Sequence, residues 1–338
     1  MARSLRDRVS TGIVTRFSLP PESRHSRGFD SRDDINSRVQ ADSRFPQTVA
    51  TLRAAGCVFA EDEAVILLEA AAEHDVAGSA PAVGGSEQRL DELVARRVAG
   101  EPLEQIVGWV DFAGMRLQVR PGVFVPRQRT RMLAEHTATV TKQVADSRGS
   151  GAESGSGTVP RPVVLEAFCG VGPVASAVAA SVPEAAIHVG DADEQAVRCA
   201  VANVEAYARA GESSANVTGH VLDCLHGLPD ELRHGIDVIA AVPPYVPVTA
   251  VDFLPREALD FEPSTALFGG VDGLDLVRRL IAESLDWLAP EGALLIELGQ
   301  DQVAEATGFA TERELEAQSH LGEEEQTVVL ELRPGHWN

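Results

Sequence analysis

Lysine is all but missing. Lys142 is the single lysine in 338 residues, so arginine carries nearly all of the positive charge. Acids outnumber bases, with 51 Asp and Glu against 29 Lys and Arg, and the formal net charge is -22. Such a chain is poorly suited to gripping a nucleic-acid backbone, where affinity comes from cations on phosphates. Aromatic residues make up 5% of the chain, and Tyr207 and Tyr245 are its two tyrosines. No basic or aromatic platform for bases is therefore expected. The four cysteines (Cys57, Cys169, Cys199, Cys224) contain no CxxC pair. Their spacing excludes a zinc knuckle and a disulfide framework, so reduced thiols and no metal site are expected. Long apolar runs are absent too. None reaches the ~20 residues of a membrane span. The first residues lack the apolar core of a secretory signal, and a cytoplasmic protein is expected.

What is present divides by composition. Residues 1–45 hold nine Arg and six Asp or Glu and no periodic apolar face. A disordered N-terminal extension is expected there. Residues 46–108 carry three apolar stripes at helical spacing: Val49, Leu52 and Ala55; Ala64, Ile66, Leu67, Ala70 and Ala71; Leu90, Leu93, Val94 and Val98. They predict a small helical domain. Val110 to Val119 alternates like a hairpin with Gly114 at its turn, and Met132 and Leu133 open a helix. Residues 109–142 therefore read as a hairpin and a connecting helix. Residues 143–161 are rich in Gly, Ser, Ala and Pro and predict a flexible linker.

From 162 to 338 the pattern alternates. Strands are expected at 162–167, 186–191, 217–222, 236–241, 292–298 and 326–333, the last after a Glu-rich segment. Helices are expected at 172–182, 193–210, 271–288 and 301–309. Alternation of this kind means a parallel sheet with helices on both faces. Ligands then bind at the carboxyl ends of the strands.

Two of those ends carry a pattern. The run Val163 to Ala167 leads through Phe168, Cys169, Gly170, Val171 and Gly172 into an Ala-rich helix. Glycine at 170 and 172 would let the backbone approach a ligand, and the helix behind aims free amides at it. The next strand ends in Asp191, whose carboxylate could accept both hydroxyls of a ribose. Gly170, Gly172 and Ala175 fit a loose dinucleotide fingerprint, so NAD is open. Glu166 at the first strand's end suits S-adenosylmethionine (SAM) better, because it would repel a pyrophosphate. Asp223, after the third strand, could accept from an adenine amino group or cap a helix.

The fourth strand runs into Val242, Pro243, Pro244 and Tyr245. Two prolines remove two N–H groups and leave nearby carbonyls as acceptors, with Tyr245 as an aromatic wall. A planar group bearing N–H donors would fit there; a packed Pro-rich loop is the plainer alternative.

Seven segments now line up with one family: GEPLEQIVG (100–108), VFVPRQRT (123–130), VLEAFCGVG (164–172), GDADEQAVRCAVANVE (190–205), PPYVP (243–247), EPSTALFGGVDGLDLVRRLIAES (262–284) and LLIELGQDQ (294–302). Over residues 46–334 the chain resembles the protein-(glutamine-N5) methyltransferases that act on peptide-chain release factors or a ribosomal protein. Its motifs lie nearer still to a related actinobacterial-type group whose protein substrate is not established. The resemblance implies a Rossmann-like class I SAM-dependent methyltransferase domain with a mostly parallel seven-stranded sheet, and it selects SAM over NAD. It implies a SAM site at Glu166, Ala167, Phe168, Gly170, Gly172, Asp191, Asp223 and Cys224. The acceptor site would be Val242, Pro243, Pro244 and Tyr245, and the helical domain would hold a protein partner. A monomer is expected, without membrane attachment.

Three departures accompany the match. Val242 stands where the family has an Asn that accepts from the substrate amide. Phe168 stands where a small residue is common, and Arg131 replaces an acid. Two other readings therefore stay open: a homologue that binds SAM or a partner without turnover, and a methyltransferase acting on an exocyclic amine of a nucleic-acid base.

Overall fold

The structure is a computed structural model that describes residues 32–76, 85–151, 160–208, 217–253, 261, 267–322 and 327–335. The chain divides into two compact units, with the boundary between Val110 and Asp111.

The first unit is helical: α1 (Arg32–Gln40), α2 (Phe45–Ala54), α3 (Ala60–Val76), α4 (Gly85–Val98) and α5 (Leu103–Val107). Its core is made by the expected stripes, with Leu52, Ala64, Leu67, Leu90 and Leu93 buried and joined by Ile106. Inside it, Glu63 takes both Nε (2.7 Å) and Nη2 (3.1 Å) of Arg97, so two charges leave water as a forked pair. The disordered extension expected over 1–45 needs correction for its last third. Residues 32–40 form α1, and Val39 and Phe45 pack on the helical core. Asp42 accepts from the Arg44 amide (2.9 Å) and from Arg44 Nη2 (2.7 Å), which ties the α1–α2 turn. Residues 1–31 lie outside the described set.

The second unit is α/β. Strands β1 (Trp109–Phe112) and β2 (Met115–Gln118) form the hairpin. It is no separate segment from Asp111 on. Asn203 accepts from the Gln118 amide (2.8 Å) and donates to the Gln118 carbonyl (3.0 Å), and Tyr207 does the same with Arg116 (2.7 and 2.9 Å). A single turn, Gln128–Thr130, leads into α6 (Arg131–Gly151). That helix overturns the first half of the expected linker. Its small polar residues are weak helix formers, but Arg148 forks onto buried Asp237 at 2.9 and 2.6 Å and pins the last turns to the sheet. Residues 152–159 lie outside the described set.

The expected alternation then follows: β3 (Val163–Ala167), α7 (Pro173–Ser181), β4 (Ala186–Asp191), α8 (Glu194–Tyr207), β5 (Val217–Val221), β6 (Ile236–Ala241), α9 (Asp275–Ser284), β7 (Leu288–Gly299), α10 (Val303–Thr311), β8 (Leu315–Leu321) and β9 (Thr327–Pro334). The seven strands β3–β9 form one sheet in the order β5-β4-β3-β6-β7-β9-β8. β3 pairs in parallel with both β4 and β6, and β9 is antiparallel to β7 and β8. The strand order reverses between β3 and β6, which puts a ligand crevice at their carboxyl ends. Strand β8 falls in the stretch that composition marks only as Glu-rich. It is an edge strand in which only Leu315 and His320 are buried, so it shows no apolar alternation.

Candidate active site

The loop after β3 is held by the two acids expected to be cofactor ligands. Glu166 is 4% exposed. Its carboxylate accepts from the amides of Val174 (3.2 Å) and Ala175 (2.7 Å) in the first turn of α7. These amides have no partner within the helix, so the acid closes its N-terminus. Burial pushes the Glu166 carboxyl up to about 8, against the pull of the two amides. Asp191, at the tip of β4, accepts from the Gly170 amide (3.0 Å) and from the Asp193 amide (3.0 Å). Burial raises its pKa and those amides oppose the rise.

The glycines of the loop are also needed for packing within the protein. Gly172 has φ +75 and caps α7; a Cβ there would lie 2.8 Å from Ala200 Cβ of α8. At Gly170, φ +50, a Cβ would meet the Phe124 carbonyl at 3.2 Å. Close packing within the protein leaves little room for a side chain at Gly170 and none at Gly172. Phe168 adopts φ +56 although it carries a bulky side chain, and it packs on the sheet's core beyond buried Ala167. That conformation costs roughly 1–2 kcal/mol. The loop holds it through hydrogen bonds on either side, such as Cys169 N–H to Gly190 O at 3.0 Å.

Beyond β5 the backbone joins this loop, since the Leu222 amide donates to the Asp191 carbonyl at 2.9 Å. Asp223 is exposed and engaged. Arg279 of α9 reaches its Oδ1 (2.5 Å) and its carbonyl (2.8 Å) and pairs with Glu283 at 2.6 Å. The Arg279 guanidinium holds the Asp223 carboxyl below its ordinary range. Cys224 is buried with φ +58, and burial pushes its thiol up to about 12, which disfavours the thiolate.

β6 is buried at every position. Val242 follows, partly buried, then Pro243 and Pro244, both buried. The carbonyls after them are less free than the sequence suggests. Gln302 Nε2 donates to the Tyr245 carbonyl (3.0 Å), and the Gly269 amide donates to that of Val246 (3.0 Å). Arg129, in the turn before α6, donates from Nη2 to the Tyr245 hydroxyl, with its guanidinium 5.8 Å from the ring centre. Its Nε lies 3.3 Å from Glu297 Oε1. Burial raises the Tyr245 phenol, which Arg129 opposes. Glu297 is 1% exposed, and burial raises its carboxyl against Thr130 and Arg129. Its Oε2 has no hydrogen-bond partner among the described residues.

Sequence reasoning gives no role to Arg129, Glu297, Gln302 or Arg279, although all four lie in the matched segments. The signal available was Glu297 itself: an acid inside an apolar strand has a reason to be there.

No family model matches the chain. It is 32% identical over 224 residues to the release factor glutamine methyltransferase of Streptomyces coelicolor, covering 66% of this chain and 72% of that one. It is 32% identical over 216 residues to the 4-amino-L-phenylalanine/4-methylamino-L-phenylalanine methyltransferase of Streptomyces pristinaespiralis, covering 64% and 67%. Among solved structures it is similar to the ribosomal protein L11 methylase of Lactobacillus delbrueckii subsp. bulgaricus, at TM-score 0.40 and 13% identity over 65% and 86% of the two chains. The α/β unit is a class I SAM-dependent methyltransferase domain. The donor set suits that cofactor: the Asp191 carboxyl at the tip of β4 holds the loop through the Gly170 amide and could also accept from ribose hydroxyls. The chain belongs to the release factor glutamine methyltransferase family.

Proposed function

We propose that this chain methylates the side-chain amide nitrogen of a glutamine in a protein of the translation apparatus, a release factor or ribosomal protein, in the cytoplasm. The observation that carries this reading is the Pro243-Pro244-Tyr245 turn. It ends the strand beside the Glu166–Asp191 loop, and Arg129 and Gln302 hold it from both sides. Bound SAM supplies an electrophilic methyl group. The protein supplies position, because an amide lone pair is delocalised and reacts only when held in line. Glu166 and Asp191 fix the loop, with Asp191 and Asp223 the residues for ribose and adenine. Tyr245 walls the acceptor side. No general base is required, since the proton leaves after transfer. Among the described residues, no helix is long and apolar enough to cross a membrane.

Val242 favours a second reading, a homologue that binds without turnover. One missing acceptor costs about 1–3 kcal/mol, or about ten- to a hundredfold in rate. That weakens turnover without abolishing it. The test is calorimetric titration with SAM, with NAD as control, followed by methyl transfer to release factors and to an arylamine amino acid. SAM binding with label on a release-factor glutamine supports the first reading. SAM binding with no transfer, and transfer created by Val242→Asn, supports the second. Label on the arylamine alone overturns the glutamine assignment. Asp191→Ala is expected to weaken SAM binding, and unchanged affinity would remove Asp191 from the site.

A further inference from the structure

β6 and β7 run parallel with Ala241 paired to Ile296. The next residue on each strand is Val242 on one and Glu297 on the other. The acceptor that residue 242 lacks thus has a neighbour that carries one. Glu297 is almost wholly buried, and its two oxygens are treated differently. Oε1 is 3.3 Å from Arg129 Nε, the Thr130 side chain also lowers the carboxyl's pKa, and Oε2 has no hydrogen bond of good geometry among the described residues. A buried carboxylate oxygen without a hydrogen bond is costly and is seldom kept without a use. Arg129 bridges the same carboxylate to the Tyr245 hydroxyl, so Glu297 belongs to the cluster that holds the acceptor turn.

We propose that Glu297 Oε2 is a hydrogen-bond acceptor for an N–H of the substrate's carboxamide, beside position 242, where Val offers no acceptor. This rests on the reading of the site as one for a glutamine amide. A carboxamide NH2 has two protons in its plane. One on Oε2 sets the rotation of that plane and leaves the nitrogen's face toward the methyl donor. Arg129 has a second effect, holding Oε1 and so fixing the plane of the carboxylate. A carboxylate also answers the positive charge that the nitrogen gains as the methyl carbon leaves sulfur with its bonding pair remaining there. The substrate class is thereby narrowed to a nitrogen that carries at least one proton before transfer. A tertiary amine or a dialkylated amide would leave Oε2 unpaired.

The experiment compares wild type, Glu297→Leu, Val242→Asn and the double variant Val242→Asn/Glu297→Leu. Each is measured for methyl transfer to release factor, for release-factor affinity with S-adenosylhomocysteine present, for SAM affinity and for thermal unfolding. Glu297→Leu is expected to lose about ten- to a hundredfold in kcat/KM and to bind release factor more weakly, with SAM affinity within about twofold. The double variant is expected to regain most of that loss, because the Val242→Asn change restores an acceptor. Wild-type rates in Glu297→Leu, or a loss that Val242→Asn does not repair, overturn the proposal while leaving the functional reading intact. If wild type neither methylates nor binds release factor, the functional reading fails and the proposal falls with it.

Discussion

Arg129 holds Tyr245 by edge and by face: Nη2 donates to the phenol oxygen, and the guanidinium lies 5.8 Å from the ring centre. The same side chain reaches Glu297 through Nε at 3.3 Å. Only a planar fork can do both, since an ammonium is a point charge on a flexible stem. Arg129→Lys is therefore expected to lower kcat for methyl transfer about tenfold, the equivalent of one charge-assisted hydrogen bond. SAM affinity should change little. An assay of kcat beside calorimetry for SAM checks this; equal losses in both would move Arg129 from the acceptor side to the cofactor pocket.

Gly172 joins the SAM loop to α7 and α8 at once. Gly172→Ala would combine a left-handed backbone with a Cβ placed 2.8 Å from Ala200 Cβ. The conformation alone costs roughly 1–2 kcal/mol, and the overlap adds to it. Denaturant unfolding is expected to show a loss of about 2 kcal/mol or more, with weaker SAM binding. A variant as stable as wild type would mean that the loop can shift without cost.

The sheet was legible because its inner strands announce themselves. Every residue of Ile236–Ala241 is buried, and a run that is apolar apart from Asp237 and lies between turn signals reads as a central strand. The acids at the ends of β3 and β4 were legible as a pair for the same reason: strand, turn and helix follow one another locally. Their partners were not. Sequence points Glu166 at a ligand, whereas its oxygens meet the amides of Val174 and Ala175. Arg129 and Glu297 are 168 positions apart, and no local pattern links an Arg in a short turn to a Glu inside a strand. The helix over 143–151 escapes the sequence likewise, because its anchor, Arg148 on Asp237, spans 89 positions. Composition describes the segment as loose; a distant carboxylate holds it.

Glu166 gives the loop a pH dependence of definite sign. Burial lifts its folded pKa to about 8, above the ordinary value of 4.5. The folded chain therefore keeps a proton that the unfolded chain releases earlier. Stability from this group is full below pH 4.5 and is lost as pH rises through 8. Wild type is expected to lose melting temperature between about pH 5 and pH 8 more steeply than Glu166→Gln, which cannot titrate. Gln offers one acceptor oxygen to two amides, so the variant should also start lower, by about 1–3 kcal/mol. Parallel melting curves across that range would show that Glu166 is charged throughout.

At the far edge of the sheet the sign is reversed. His136 of α6 and His320 of β8 each place Nε2 2.9 Å from the same oxygen of Glu331, Oε2, while Arg333 Nε holds Oε1 at 2.7 Å. Burial would raise this carboxyl, but the three partners outweigh it and hold it well below the ordinary range. The unfolded chain then takes up the proton first as pH falls. Stability from Glu331 is present above about 4.5 and is lost below it, as pH falls toward the lower folded value. Glu331→Gln is expected to cost about 1–3 kcal/mol at about pH 7, because Arg333 loses its countercharge and two imidazoles compete for one amide oxygen. Between about pH 5 and pH 3 the variant should lose less stability than wild type, since the charge in question is already gone. Denaturant unfolding at about pH 7, 5 and 3 checks both halves; a wild type as acid-insensitive as Glu331→Gln would show that this cluster contributes packing alone.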